Sequence, residues 1–180
     1  MWAEDLGLAV LLADFNCAQS SLWQPMRGLR SLNSFTRGAV VRREGNIDVL
    51  NAASATVHNV ALWMEYASRE HDVVAADLTP ASEEVALEVM HVATSIFIVS
   101  DSDRNSLDLA RDKASWIRTH GMKDLCALLL RATPGGIRPD VAEEVTGIPV
   151  CSLIDDIPQI RRLAAWLTLD REPHKTAAAC

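Results

Sequence analysis

Two aspartates stand at the ends of short apolar runs. Asp14 closes "LAVLLAD" and Asp77 closes "VVAAD". Runs of this kind are continuous rather than alternating, as expected for strands buried on both faces of a parallel sheet. In such sheets ligands bind beyond the carboxyl ends of the strands. A carboxylate there can hold Mg²⁺ through water, or orient a water at a phosphate. The same residue can instead cap the turn that follows its strand. The pattern of Asp14 and Asp77 leaves both readings open.

The other chemistry-bearing residues are scattered. Cys17, Cys126, Cys151 and Cys180 form no CxxC pair. His58, His71, His91, His120 and His174 share no ligand spacing with them or with one another, so no His/Cys metal centre is expected. Cys126 and Cys151 sit in apolar runs and read as small buried hydrophobes. Between Met26 and Arg43 lie five arginines (27, 30, 37, 42 and 43) and no acid. That stretch reads as a solvated loop and helix, with a patch for DNA, acidic lipid or a protein partner as the alternative. Trp2, Trp23, Trp63, Trp116 and Trp166 read as core or interface anchors.

The elements that must position these residues alternate in type. Apolar runs at 8–13, 47–50, 73–76, 95–99, 125–130 and 148–153 predict strands. Between them, Val57, Val60, Ala61 and Met64 form a helical stripe. Leu107, Ala110, Ala114 and Ile117 form a second, and Ile157, Ile160, Ala164 and Leu167 a third. A shorter helix is expected over 82–92. The alternation predicts an α/β fold, a mainly parallel sheet of about six strands with helices on both faces. One domain is expected over 1–170, with 171–180 as a flexible tail. The net charge of −7 argues against general nucleic-acid affinity. No run approaches the roughly 18 apolar residues of a membrane span. No secretion signal is visible at the N-terminus, so a cytoplasmic location is expected.

Four segments resemble the MinD/ParA group of P-loop ATPases: "AVLLADFN", "HDVVAADLTP", "IFIVSDSDRNSLDLARDKASWIR" and "GIPVCSLIDDIPQIRRLAAW". The likeness is strongest to the CpaE/TadZ branch, associated with pilus assembly and its polar placement, and it covers about residues 6–166. It implies ATP and Mg²⁺ as the group's cofactors. By position, Asp14 resembles the aspartate that positions the attacking water and couples hydrolysis to dimerisation. Asn16 lies where a second acidic or amide residue often stands near nucleotide. Asp77 resembles the Walker B aspartate, which reaches Mg²⁺ through water. After the strand at 125–130 the group often has an Asn-Arg pair whose Asn reads adenine; here Arg131-Ala132 follows, leaving Arg131 as a nucleotide-binding candidate.

The chain departs from the group at its start. The group opens with a strand and then KGGxGK[ST], whose amides and lysines hold the phosphates. No such motif occurs in the 180 residues. "MWAEDLG" reads as the last turns of a helix with Gly7 at its C-terminal cap. "PGG" at 134–136 lacks the lysine and hydroxyl and reads as a turn. The expectation is a domain without the first strand and phosphate loop, acting by binding in localisation or assembly, with no cofactor and no ATP hydrolysis as given. The alternative is an ATPase whose phosphate-loop segment is missing through truncation or a miscalled start. A weaker third reading is a flavodoxin-like or receiver-like domain with Asp14 and Asn16 as a thin acidic pocket. A protein partner or self-association is expected, because loss of a central strand leaves sheet edges to be covered. Nucleic-acid binding stays open only as a weak affinity, and no amphipathic membrane helix is evident.

Overall fold

The computed structural model describes residues 7–15, 29–31, 40–44, 47–52, 55–79, 81–169 and 176–179. They fall into two compact units, Met1–Thr94 with Arg171–Cys180, and Ser95–Asp170.

The first unit holds β1 (Val10–Asp14), β2 (Leu29–Ser31), β3 (Val40–Glu44), β4 (Ile47–Asn51), α1 (Val57–Glu70), β5 (Val73–Asp77) and α2 (Glu83–Val92). Its strands run in the order β2-β3-β4-β1-β5. β1 pairs in parallel with both β4 and β5, whereas β2, β3 and β4 form antiparallel pairs. The inner position of β1 explains its apolar sequence, and Leu11 of β1 and Leu50 of β4 are both fully buried. α1 carries the chain from β4 to β5, as parallel pairing requires a crossover. Its buried residues are Val60, Trp63, Met64 and Ala67. The stripe expected from Val57 is thus turned toward Trp63, and Val57 itself is 38% exposed in the first turn. Trp63 meets its expected role as a core anchor.

The second unit holds β6 (Ser95–Asp101), α3 (Arg104–Thr119), β7 (Cys126–Arg131), α4 (Pro139–Thr146), β8 (Val150–Leu153) and α5 (Ile157–Leu169). Its strands run β6-β7-β8, all parallel. Leu107, Ala110, Ala114 and Ile117 of α3 are all buried, as their spacing predicts. Asp103 caps this helix by accepting from Ser106 N at 3.0 Å. Proline opens α4, and Gly147 closes it at φ +70°.

A last strand, β9 (Thr176–Ala179), belongs to the first unit and pairs in parallel with β5. Part of the segment expected to be a flexible tail is therefore a strand. β2 and β3 are also additions to the expected six strands, and they place Arg30, Arg42 and Arg43 in a sheet rather than in a loop and helix. Arg27 and Arg37 lie outside the described residues. Gly7 takes the left-handed conformation, φ +65°, that a helix C-terminal cap uses; residues 1–6 lie outside the described set. Among the described residues no helix is long and apolar enough to cross a membrane.

Candidate functional site

The strand register of the first unit brings Asp14 and Asp77 side by side. They are direct partners across the β1–β5 ladder, and Asn51 is the partner of Asp14 across β1–β4. Neighbouring strands lie about 4.8 Å apart, and in-register residues share a face. The result is a row, Asn51, Asp14 and Asp77, along the carboxyl ends of three parallel strands. Four residues back along each strand the same face is apolar. Val10 and Val73 are buried there, packed with Leu8, Leu12 and Ile47.

Asp14 and Asp77 are each held by local backbone contacts. Ala52 N donates to Asp14 O at 2.8 Å, and Phe15 N donates to Asp77 O at 3.4 Å. Asp14 is 3% exposed. Thr79 N donates to Asp77 Oδ1 at 3.0 Å, so Asp77 does cap its own turn. Capping occupies one oxygen and leaves the second carboxylate oxygen for other chemistry.

The donor set is all oxygen, two carboxylates and an amide, which suits a hard cation such as Mg²⁺. The residues that follow the three strands, Phe15, Ala52 and Leu78-Thr79, contribute no positive charge. No KGGxGK[ST] motif occurs in the 180 residues.

The remaining candidates are placed elsewhere. Asn16 lies outside the described residues. Arg131 ends β7 in the second unit, where its register partner is Asp101. Its guanidinium grips that carboxylate with both arms, Nε to Oδ1 at 2.5 Å and Nη2 to Oδ2 at 2.7 Å. The hydrogen bonds from Arg131 hold the Asp101 carboxyl below the usual range, and Asp101 in turn raises Arg131. Arg131 is thus committed to a cross-strand ion pair. A groove of about 530 Å³ runs beside it, lined by Ile98, Val99, Leu109 and Lys113 among others. The "PGG" segment is a turn: Gly136 N donates to Thr133 O at 2.9 Å, and Gly135 has φ +72°. Proline followed by a positive-φ glycine defines a type II turn.

Three features were not read from the sequence. Asn51 is the first, although its signal was present: the run 47–50 ends on a polar residue, as the runs at Asp14 and Asp77 do. The second is a buried pair between Asp48 on β4 and His71 just beyond α1. His71 Nε2 lies 2.9 Å from Asp48 Oδ2, and His71 Nδ1 lies 3.1 Å from Ala67 O. It ties the end of α1 to the sheet, and no sequence spacing links residues 23 positions apart. The third concerns the cysteines. Cys126 is buried as expected, and burial pushes its thiol up to about 11. Cys151 is exposed, which corrects its reading as a buried hydrophobe. It sits on β8, which ends the β6-β7-β8 order.

No family model and no curated protein matches this chain. Among solved structures, the chain is similar to a ParA family ATPase from Chlorobium tepidum TLS, with a TM-score of 0.69 and 16% identity. The match covers 93% of this chain and 82% of that one. The class of fold is therefore that of ParA-like P-loop NTPases, an α/β architecture of parallel strands flanked by helices.

Proposed function

We propose that this chain is a MinD/ParA-like domain of CpaE/TadZ type. In this reading it serves localisation or assembly, as in pilus assembly or partitioning, by binding partners in the cytoplasm and not by hydrolysing ATP. The observation that carries the reading is the pairing of a ParA-like sheet and its carboxylate row with a sequence that lacks KGGxGK[ST]. Asp14 and Asp77 then serve as a polar rim, with Asp77 the first choice for a hydrated Mg²⁺. Asn16 and Arg131 are secondary nucleotide candidates, and Arg131 would have to leave Asp101 to act. Titration with a fluorescent ATP analogue and Mg²⁺ tests this. The reading expects no saturable binding at millimolar nucleotide; saturable binding that Asp77→Ala removes would contradict it.

A second reading is favoured by the retained register of Asp14 and Asp77. In it the domain is the larger part of an ATPase whose phosphate-loop segment lies upstream of these residues. Restoring an upstream strand and KGGxGK[ST] loop would then create turnover dependent on both aspartates.

A further inference from the structure

We propose that Glu143 and Gln159 lock the free edge of β8 against strand addition, an autoinhibitory contact in which two side chains occupy the backbone amides that an incoming strand needs. The lock lies wholly within the second unit and does not depend on nucleotide.

β8 ends the strand order, with β7 on one side and no strand on the other among the described residues. Such an edge ordinarily offers its N–H and C=O groups to another chain. In a parallel pair the N–H and C=O of one residue point to the same side, and successive residues alternate. Leu128 N donates to Pro149 O at 2.8 Å, so Pro149 faces β7 and Val150 faces outward. Ile154 N donates to Leu130 O at 2.9 Å, so Ile154 faces β7 and Leu153 faces outward. Pro149 and Ile154 both face inward because the register shifts between them. Leu128 pairs with Val150 and Leu129 with Ser152, which leaves Cys151 as the extra residue of a bulge.

Both outward amides are taken. Val150 N donates to Glu143 Oε1 of α4 at 2.7 Å, a charge-assisted bond. Leu153 N donates to Gln159 Oε1 of α5 at 3.0 Å. The carbonyl of Leu153 is used as well, accepting from Asp156 N at 3.1 Å. Gln159 is itself held in place. Its backbone N donates to Asp156 Oδ1 at 3.0 Å and its Nε2 to Asp156 Oδ2 at 2.7 Å, which leaves Oε1 turned to the strand.

The two blocking residues thus come from the helices before and after β8, one from each. An added strand must displace both before its carbonyls reach Val150 N and Leu153 N. The bulge and the four-residue length of β8 act in the same direction. A strand that approaches here meets a closed edge, which opens only when Glu143 and Gln159 let go.

Amide hydrogen exchange of the full chain, read at Val150 and Leu153 over a range of protein concentration, tests the proposal. The strand offered is the chain's own, since each released edge meets an identical one in solution. In the unaltered chain both amides should be protected at every concentration. In Glu143→Ala/Gln159→Ala both should lose protection in dilute solution and regain it as concentration rises and released edges pair. Glu143→Gln, which keeps an acceptor oxygen, should leave Val150 protected. Fast exchange of either amide in the unaltered chain overturns the proposal. So does a double variant that stays protected when dilute, or one that stays unprotected at every concentration. If the double variant does not fold, the single variants decide. Glu143→Ala should free Val150 alone, and Gln159→Ala should free Leu153 alone; a single variant that frees both amides or neither also overturns the proposal.

Discussion

At the scale of the residue, the candidate site was half legible. Asp14 and Asp77 stood out because each ends an apolar run, and the structure places them as ladder partners. Asn51 was hidden only by its type, since an amide attracts less notice than a carboxylate. The Asp48–His71 pair was beyond sequence reading, because the contact depends on how α1 packs on the sheet. It leads to a prediction. Removing one partner of a buried hydrogen bond costs about 1–3 kcal/mol. His71→Ala should therefore lower unfolding stability by about that amount in urea denaturation, whereas Asp48→Asn, which keeps an acceptor oxygen, should cost less. Cys126 gives a second prediction. Its buried thiol is raised from 9.0 to about 11, so the folded state favours the protonated form. That preference costs nothing below pH 9, where the unfolded thiol is also protonated. Its effect on stability is lost as pH rises from 9 toward about 11, because the unfolded chain then ionises first. Denaturation midpoints should fall across that window, less so in Cys126→Ala. At pH 8, mass spectrometry after alkylation should find Cys151 modified and Cys126 protected in the native protein.

At the scale of the element, the six expected strands, the helix over 82–92 and the existence of three further helices were readable from apolar runs and stripes, although Ile157, the first residue of the last stripe, is 63% exposed. The elements that escaped share a physical reason: their sequences carry too few large apolar residues in a run or stripe to mark them. β3 is Val-Val-Arg-Arg-Glu, and β2 is Leu-Arg-Ser. Both pair antiparallel at the side of the sheet, where continuous apolar sequence is not required. β9 has no large side chain at all. α4 is only eight residues long and buries just Ala142 and Thr146, too little for a stripe. Its boundaries come from proline and Gly147 instead. At Gly147 the φ of +70° is one that residues with a Cβ adopt at a cost of roughly 1–2 kcal/mol, and an added Cβ would lie 3.1 Å from Arg118 Nη2. Gly147→Ala should thus destabilise the protein by about that amount, read as a lower midpoint in thermal unfolding. Gly121→Ala has the same φ penalty but open space around the new Cβ, so it should cost no more.

At the scale of the whole molecule, the ParA-like fold is shared with an ATPase at 16% identity, and fold similarity of that kind does not carry activity with it. What decides activity is whether charge on a transferred phosphoryl group can be neutralised. Phosphoryl transfer depends almost wholly on positioning and electrostatics. A Mg²⁺ held at Asp14 and Asp77 would supply part of that, and in the function proposed above no lysine and amide cradle supplies the rest. Each lost charge-assisted hydrogen bond is worth roughly 1.5–3 kcal/mol, so several together weaken binding by orders of magnitude. The most direct measurement is phosphate release from Mg-ATP by the 180-residue chain, beside Asp14→Ala and Asp77→Ala. The account predicts that all three release phosphate at the rate of buffer alone. Turnover by the unaltered chain that both substitutions abolish would contradict it.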